Sequence, residues 1–507
     1  MEGNGTKTVP FPAAPVNSRE TVAAPQREPG IPAAQGGMLL PAADARRYHF
    51  SGVAGSGMSP LAQLMRVRGH TVQGSDRALD QGKSPEIAAR LRDLGIDVMP
   101  QDGSAVTAAI DRFVYSSAVE ADTPEMRAAR ALGIELVPRP ALLAEVVNAG
   151  RPGVAVAGTS GKSTIVGMVA WLLRESGVPA TVLGGAALAD AGSGGCFAAG
   201  PTNAPVVAEA CESDGTLVGY RPLVGLVHNI SRDHAELIPL RAQFGVFARN
   251  CARILVNARC PEAAALGLEV AAFTYGLAGD ADAPLNVLSV GPDRARGTLT
   301  CAGERLSLDV PQPGLHNLEN AAAAAMIGLE LGLAPGEITA ALESFPGVAR
   351  RFEVVGTTAS GIRVVDDYAH NGEKLRAAIT TAQTGAARLI AVFQPHGFGP
   401  ARFLRHELRE LLPAILRPRD RFCYAEIFYA GGTVARDISS RMLAADLPAS
   451  LACGYAADHD AARRWVLSEA RPGDTVLVMG ARDPDLPRLA RSIHVALAGL
   501  TSPAARV

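Results

Sequence analysis

Val154-Ala155-Val156-Ala157-Gly158-Thr159-Ser160-Gly161-Lys162-Ser163-Thr164 is the most informative segment of the chain. Four apolar residues run into a glycine loop, and from Ile165 to Arg174 apolar residues recur at helical spacing. A short apolar run stopped by glycine reads as a buried strand, and the following period reads as a helix. In that order the glycines let backbone N–H groups turn inward around phosphate oxygens, and the helix N-terminus adds a positive dipole. The Lys162 ammonium would reach the outer phosphates, and the Ser163 hydroxyl would ligate Mg²⁺. A longer form of the loop would carry a glycine at position 156, where Val156 stands, so this one is short. A plain glycine turn with an exposed lysine is the alternative. The flanking strand and helix favour nucleoside triphosphate binding by Gly158, Thr159, Gly161, Lys162, Ser163 and Thr164.

Upstream, Tyr48-His49-Phe50 reads as a strand entering the turn Gly52-Val53-Ala54-Gly55-Ser56-Gly57. Residues 58–68 follow as a helix, and Thr71-Val72-Gln73 as a strand ending in Gly74-Ser75-Asp76. Strand, glycine turn, helix, strand and acid outline a Rossmann-like βαβ unit. Ala54 replaces the second of its three glycines, the one that lets the backbone approach a pyrophosphate closely. A tight turn without ligand therefore fits as well. The unit closes in the breaker cluster Ala149-Gly150-Arg151-Pro152-Gly153.

Downstream of the phosphate loop, a strand over 205–208 ends in Glu209-Ala210-Cys211-Glu212-Ser213-Asp214. A second, over 224–227, ends in His228-Asn229-Ile230-Ser231-Arg232-Asp233-His234. Strand ends of one parallel sheet share an edge, so Glu209 and His234 are placed to face the phosphate loop, where carboxylates suit a metal. Short alternating strands fill 281–309. Asn317 and Asn320 then open an Ala-rich helix, three apart and on one face. One of them could simply cap that helix; two amides with His316 could instead grip a purine edge. From Phe345-Pro346-Gly347 another open α/β sheet begins, with Asp366-Asp367-Tyr368-Ala369-His370 at one strand end and Gln394-Pro395-His396 at another.

The whole chain bounds these readings. Its 507 residues exceed what one core usually serves. A net charge of −2 argues against general nucleic-acid or membrane-surface binding, and no apolar run is long enough to span a bilayer. Seven cysteines, none spaced CxxC, point to free thiols in a reducing, cytoplasmic setting rather than zinc knuckles or disulfides. The first 37 residues carry six prolines and no apolar segment, which reads as a disordered tail. The expected organisation is a tail over 1–45, a Rossmann-like domain over 46–150, a P-loop-type ATPase domain over 151–344 and a second Rossmann-like α/β domain over 345–507.

Six segments in this order resemble the Mur ligases, the ATP-dependent amino-acid ligases of peptidoglycan synthesis. They are GVAGSGMS (52–59) with GSD (74–76); YSSAVEADTPEMRAARALGI (115–134); GTSGKST (158–164); EACESD (209–214) with NISRDH (229–234); GLHNLENAAAA (314–324); and RRFE (350–353) with DDYAH (366–370) and FQPH (393–396). The resemblance covers about residues 46–495. It is strongest to the branch that joins L-alanine to UDP-N-acetylmuramate through an acyl phosphate, with ATP and Mg²⁺. It implies that the first domain binds the UDP sugar, the second ATP, and that the third closes over both with the amino acid. By position, Lys162 is expected to neutralise the γ-phosphate, Ser163 and Glu209 to hold one Mg²⁺, and His234 a second. Asn317, Asn320, Arg351 and Asp367 are expected on the nucleotide. Gly52, Gly55, Gly57, Asp76, Ser116 and Ser117 are expected around the UDP moiety, and His370, His396 and Arg402 around the amino acid, with Arg351 and His370 also catalytic.

The chain departs from that pattern in places. Ser160 replaces a histidine and Ser163 a threonine in the loop, and Cys211 replaces an aspartate. DDYAHNGEK stands for DDYGHHPTE, and FQPHGFGPAR for FQPHRYTRTR, so Gly397 and Pro400 occupy expected arginine positions. An arginine fork binds carboxylate bidentately, so its loss bears on the amino acid more than on the ATP chemistry. A ligase for another amino acid or acyl acceptor, and a non-catalytic nucleotide-binding paralogue, remain as alternatives. A nicotinamide dehydrogenase is disfavoured by Ala54 and by the second phosphate loop.

Overall fold

The computed structural model describes residues 45–82, 84–116, 119–189, 197–212, 215–231, 237–429 and 434–500. The tail expected over 1–45 lies outside the described residues, Ala45 excepted.

Three sheets follow one another along the chain. The first joins β1 (Arg47–Ser51), β2 (Thr71–Ser75), β3 (Asp97–Met99), β4 (Arg112–Tyr115) and β5 (Glu135–Pro138), all parallel, in the order β3-β2-β1-β4-β5. The order reverses between β1 and β4, which opens a crevice at their carboxyl ends, where the glycine turn lies. Arg112 anchors the far end of β4. Its guanidinium, nearly buried, bonds both oxygens of Glu135 on β5 at 2.8 and 3.0 Å and both oxygens of Glu145 at 2.7 and 2.8 Å.

The second sheet contains β6 (Gly153–Ala157), β7 (Thr181–Leu183), β8 (Phe197–Ala198), β9 (Val206–Ala210), β10 (Val224–Val227), β11 (Arg253–Asn257), β12 (Phe273–Gly276), β13 (Ala283–Val290), β14 (Ala295–Cys301) and β15 (Glu304–Val310). Its order is β15-β14-β13-β12-β11-β10-β6-β9-β7-β8. The centre, β7 to β12, is parallel, while β14 and β15 return as antiparallel hairpins, the alternating segment of the sequence. Side chains alternate faces along a strand. Val154 and Val156 therefore enter a core with the helices Lys162–Glu175 and Leu315–Glu330, while Ala155 and Ala157 face the other way. The buried run Ala321–Ala325 supplies no bulk, which lets the second helix lie close against the first. The opposite core is continuous with that of the first sheet through the helix Arg139–Asn148, so the first two sheets share one apolar mass.

The third sheet joins β16 (Glu353–Thr357), β17 (Arg363–Asp367), β18 (Leu389–Gln394), β19 (Arg421–Ala425), β20 (Cys453–Ala456) and β21 (Thr475–Gly480) in the order β16-β17-β21-β18-β19-β20. All pairs are parallel except β16 with β17. Alternation again divides two cores, Ala391 and Phe393 on one side and Ile390 and Val392 on the other. No helix among the described residues is long and apolar enough to cross a membrane.

Lysine cannot reproduce the four-bond fork of Arg112. Arg112→Lys is expected to lower stability by about 1–2 kcal/mol, read in urea unfolding of the intact chain.

Candidate active site

The phosphate loop leaves the end of β6 and is clamped to the neighbouring strand end. Thr159 N donates to Asn229 O at 3.0 Å and Ser160 N to Asn229 Oδ1 at 2.7 Å, while Asn229 Nδ2 returns a bond to Ser160 O. Thr159 Oγ1 donates to Ser231 O and accepts from Ser231 N. Gly161, at φ +86°, is in the left-handed region, and a Cβ there would stand 2.6 Å from Asn320 Oδ1. Only glycine fits both the turn and the space. Lys162 opens the helix, and its Nζ bonds the Gly158 carbonyl and lies 2.8 Å from Glu212 Oε2. Burial works against that ammonium, but Glu212, with Cys211 and Glu209, holds its pKa above the ordinary lysine value. Glu212 is itself nearly buried.

One wall of the adjoining cleft is a relay of amides. Asn317 Nδ2 donates to Pro313 O at 2.8 Å, and Asn320 Nδ2 donates to Asn317 Oδ1 at 3.3 Å. Asn320 Oδ1 is buried and has no hydrogen-bond partner among the described residues. His228, at the end of β10, lines the same cleft, with Nδ1 2.7 Å from the Tyr275 hydroxyl. Burial, then the nearby His316, lowers its pKa to about 4, and burial lowers that of His316 to about 4.

The third sheet closes the cleft through a short strained linker. Arg350 and Phe352 take φ values of +58° and +53°, which cost free energy in non-glycine residues. Named bonds offset that cost. Arg350 Nε pairs with Asp366 at 3.2 Å and Arg350 Nη2 donates to Gly480 O at 2.6 Å, while Phe352 N donates to Asp367 Oδ2 at 2.7 Å. Between them Arg351 projects to the loop helix, where its Nη2 donates to Ser163 Oγ at 3.1 Å. Ser231 Oγ also donates to Glu373 across the same gap, at 2.7 Å. Burial raises the Asp366 pKa to about 6 against the pull of Arg350, and burial raises that of Asp367 against Arg351. The cleft measures about 360 Å³ and is lined by Ser160, Thr164, Asn317, Arg351, Asp367 and Lys374 among others.

A second cavity of about 340 Å³ lies between the first two sheets, lined by Gly55, Gly57, Ser116, Arg139, Glu209 and Cys211 among others. Glu209 Oε1 accepts from Gly185 N at 2.6 Å. Asp76 uses its two oxygens on backbone: Oδ2 accepts from Ala54 N at 3.1 Å and Oδ1 from Ala78 N at 2.8 Å, capping a short helix. It therefore braces the glycine turn after Gly52.

Near the third sheet's carboxyl edge, the rings of His370 and His396 meet at 5.2 Å, and His370 Nδ1 is 2.8 Å from Tyr368 O. Arg402 pairs with Asp437 and donates to Ala435 O at 3.2 Å. Gly397 holds φ +75° and ψ 144°, a region essentially closed to side chains. His234 and Ser117 lie outside the described residues.

Lys162, Ser163, Arg351, Asn317, Asn320 and Asp367 thus gather around one cleft or its loop. Glu209 lines the other cavity with Gly55, Gly57 and Ser116. Sequence reasoning left Glu212 undistinguished among its neighbouring carboxylates and assigned no role to His228, Tyr275 or Arg139. The side chain beyond a strand end that reaches Lys162 depends on loop path, which spacing does not encode.

With this geometry in place, similarity to known proteins becomes specific. Residues 47–151 match the Mur ligase family catalytic domain, 156–328 the Mur ligase middle domain and 350–482 the Mur ligase glutamate ligase domain. The chain belongs to the Mur ligase family. It is 37% identical over 461 residues to a UDP-N-acetylmuramate–L-alanine ligase of Xanthomonas campestris, covering 86% of this chain and 93% of that one. It is 36% identical over 477 residues to the ligase of the same name from Stenotrophomonas maltophilia, covering 89% and 95%. The solved UDP-N-acetylmuramate-alanine ligase of Thermotoga maritima superposes with a TM-score of 0.73 at 25% identity, covering 90% of this chain and all of that one. A murein peptide ligase from Psychrobacter arcticus shares the fold, with a TM-score of 0.65 at 20% identity.

The depressed pKa of His228 makes the folded chain bind fewer protons than the unfolded one between about pH 6.5 and 4. Its contribution to stability is present above about pH 6.5 and lost as pH falls toward 4; Asp366 runs the opposite way. Thermal unfolding in this window is expected to show a smaller acid-induced drop in Tm for His228→Gln than for the unaltered chain.

Proposed function

We propose that this chain joins L-alanine to UDP-N-acetylmuramate in peptidoglycan precursor synthesis, cleaving ATP to ADP and phosphate. The observation that carries the reading is the place of Lys162. Gly161, its chain neighbour, lines the ≈ 360 Å³ cleft, while Glu209 and Cys211, which bear on its charge, line the ≈ 340 Å³ cavity. A carboxylate held in the cavity and a γ-phosphate held in the cleft would meet at that ammonium. The carboxylate attacks the γ-phosphate to give an acyl phosphate and ADP. The amino group of the amino acid then attacks the acyl carbon, and phosphate leaves. Positioning and neutralisation of phosphate charge are the protein's main contributions.

The roles follow from placement. On ATP binding, Lys162 exchanges the Gly158 carbonyl and Glu212 for phosphate oxygens, and the loop amides cradle the phosphates. Arg351 adds a second cation from the third sheet, and Asn317, Asn320 and Asp367 line the nucleotide. Asn320 Oδ1, buried and without a hydrogen-bond partner among the described residues, fits a polar ligand at this cleft. Gly55, Gly57 and Ser116 receive the UDP sugar, with Gly52 and Asp76 setting the turn; Ser117, grouped with them by the sequence, lies outside the described residues. His370 and His396 border the amino acid, with Arg402 beyond them. Ser163 and Glu209 supply oxygen donors that suit one Mg²⁺, which would neutralise charge on the transferring phosphoryl group, and His234, outside the described residues, is read as holding a second. The tail is read as a separate segment before domains over 46–150, 151–344 and 345–507.

A second reading, a family member that adds another amino acid, draws on the glycine-only backbone at Gly397 and on the pairing of Arg402 with Asp437. An arginine at 397 would be strained on this backbone.

Phosphate release with ATP, UDP-N-acetylmuramate and a panel of amino acids separates the two. Release is expected with L-alanine and to fall roughly a thousandfold in Lys162→Ala. Release with another amino acid only would support the second reading, and none with any would sink both.

A further inference from the structure

The linker into the third sheet changes its attachments within three residues. Up to Ala349 it is fastened to the second domain: Ala349 N donates to Ala187 O at 2.8 Å, Ala189 N donates to Gly347 O at 3.0 Å, and Leu188 bridges Val348. From Phe352 it belongs to the third domain, whose core includes that residue at 4% exposure. Arg351 lies between, so the angle at which the third sheet meets the second decides where its guanidinium arrives. Arg350 and the Phe352 amide are tied to the third sheet by the bonds described above. The Phe352 ring has a further neighbour. The Arg363 guanidinium, at the start of β17, stands 5.7 Å from the ring centre, within reach of a cation–π contact.

Arg363 is also where the third sheet meets the tip of the β13–β14 hairpin, residues 291–294. Its Nη1 donates to Pro292 O at 2.8 Å and pairs with Asp293 Oδ1 at 2.8 Å. Its side chain is 15% exposed, that of Asp293 77%. Pro292 nests beside Gly385 of the third domain, where a Cβ would stand 2.9 Å from the Pro292 Cβ. The tip itself is tied down. Gly291 N donates to Arg294 O at 2.8 Å, and Arg294 pairs with Asp309 on β15 at 2.8 Å. β17 is therefore held at both ends, with Asp366 and Asp367 gripping the linker at one and Arg363 gripping the hairpin at the other. A sheet fixed at two separated points cannot tilt freely about either.

We propose that Arg363 is a positioning residue for the ligase reaction: by joining the hairpin tip to the Phe352 ring, it sets the linker angle that aims Arg351 at Ser163 and the phosphate loop. The hairpin, an antiparallel addition outside the parallel centre of the second sheet, is thereby a brace for the third domain. It works at a distance, since Pro292, Asp293 and Arg363 do not line the cleft. Misplacing a catalytic group by about 1 Å can cost roughly a hundredfold in rate, so a loss of roughly tenfold is expected when the brace is released. The inference rests on the role proposed above for Arg351.

The test is a double-mutant cycle in steady-state phosphate release by the intact chain, with ATP, UDP-N-acetylmuramate and L-alanine. Arg363→Met keeps the apolar stem and removes the charge and the donors. Alone it is expected to lower kcat roughly tenfold, with each KM within about twofold of the unaltered value. Arg351→Ala is expected to lower kcat roughly a hundredfold. With Arg351 already replaced, adding Arg363→Met is expected to lower kcat by less than about twofold more, because Arg363 acts through Arg351. The same tenfold factor in both backgrounds would mark an effect on the fold at large and overturn the proposal. An unchanged kcat in Arg363→Met would overturn it too, leaving the role of Arg351 intact. An unchanged kcat in Arg351→Ala would overturn that role and the inference with it, and no release by the unaltered chain would sink the ligase reading and both. Should Arg363→Met not fold, Asp293→Lys, at an exposed position, sets a cation against Arg363 from the hairpin side. It is expected to lower kcat about threefold in the unaltered background and to leave Arg351→Ala unchanged. No loss in the unaltered background, or an equal loss in both, would contradict the proposal.

Discussion

The ammonium of Lys162 is nearly enclosed by protein, and the phosphate loop is built around keeping it charged. An ammonium out of water is costly unless paired and hydrogen-bonded. Here the loop's own Gly158 carbonyl and Glu212 supply the partners, and Glu209 and Cys211 add to the field. Those three side chains come from one segment, the end of β9, so the register of β9 beside β6 is what delivers them. Two adjacent parallel strands therefore place the cation and its partners on one edge, and the clamp from Asn229 and Ser231 brings a third strand end to the loop. The sheet order β10-β6-β9 thus gathers the loop, the cation and its partners on one edge.

Closure by the third sheet depends on a comparable balance. The two residues flanking Arg351, Arg350 and Phe352, occupy the left-handed region, and Asp366, Asp367 and the Gly480 carbonyl hold them there. The result is a guanidinium that reaches Ser163 from a different sheet. Strain of this kind is kept where surrounding structure over-determines it, and here the surrounding structure is the strand end Asp366-Asp367 that the sequence marks by its paired acids.

Much of this was legible. The phosphate loop announces itself through glycine spacing and the lysine that follows, because no other residue types meet the backbone and charge requirements together. The glycine turn of the first sheet and the alternating hairpins near 281–309 were equally readable from pattern. Less legible was which carboxylate partners Lys162: EACESD offers several at adjacent positions, and the choice of Glu212 depends on how the chain turns after β9. His228 and Tyr275 were silent because they meet across two strand crossovers, each looking like an ordinary residue at a strand end. Asp76 shows the opposite case. Its spacing after the glycine turn suggests a ribose ligand, yet both oxygens brace backbone amides, a role that the same spacing serves equally well.

On the proposed reaction, a carboxylate oxygen of the sugar is transferred to phosphate at Lys162. UDP-N-acetylmuramate labelled with ¹⁸O in its carboxylate, incubated with ATP, L-alanine and the chain, tests it by mass spectrometry of the released phosphate. The acyl-phosphate route predicts one ¹⁸O in each phosphate released. Phosphate free of label, with both ¹⁸O atoms still on the sugar's carboxylate, would contradict it.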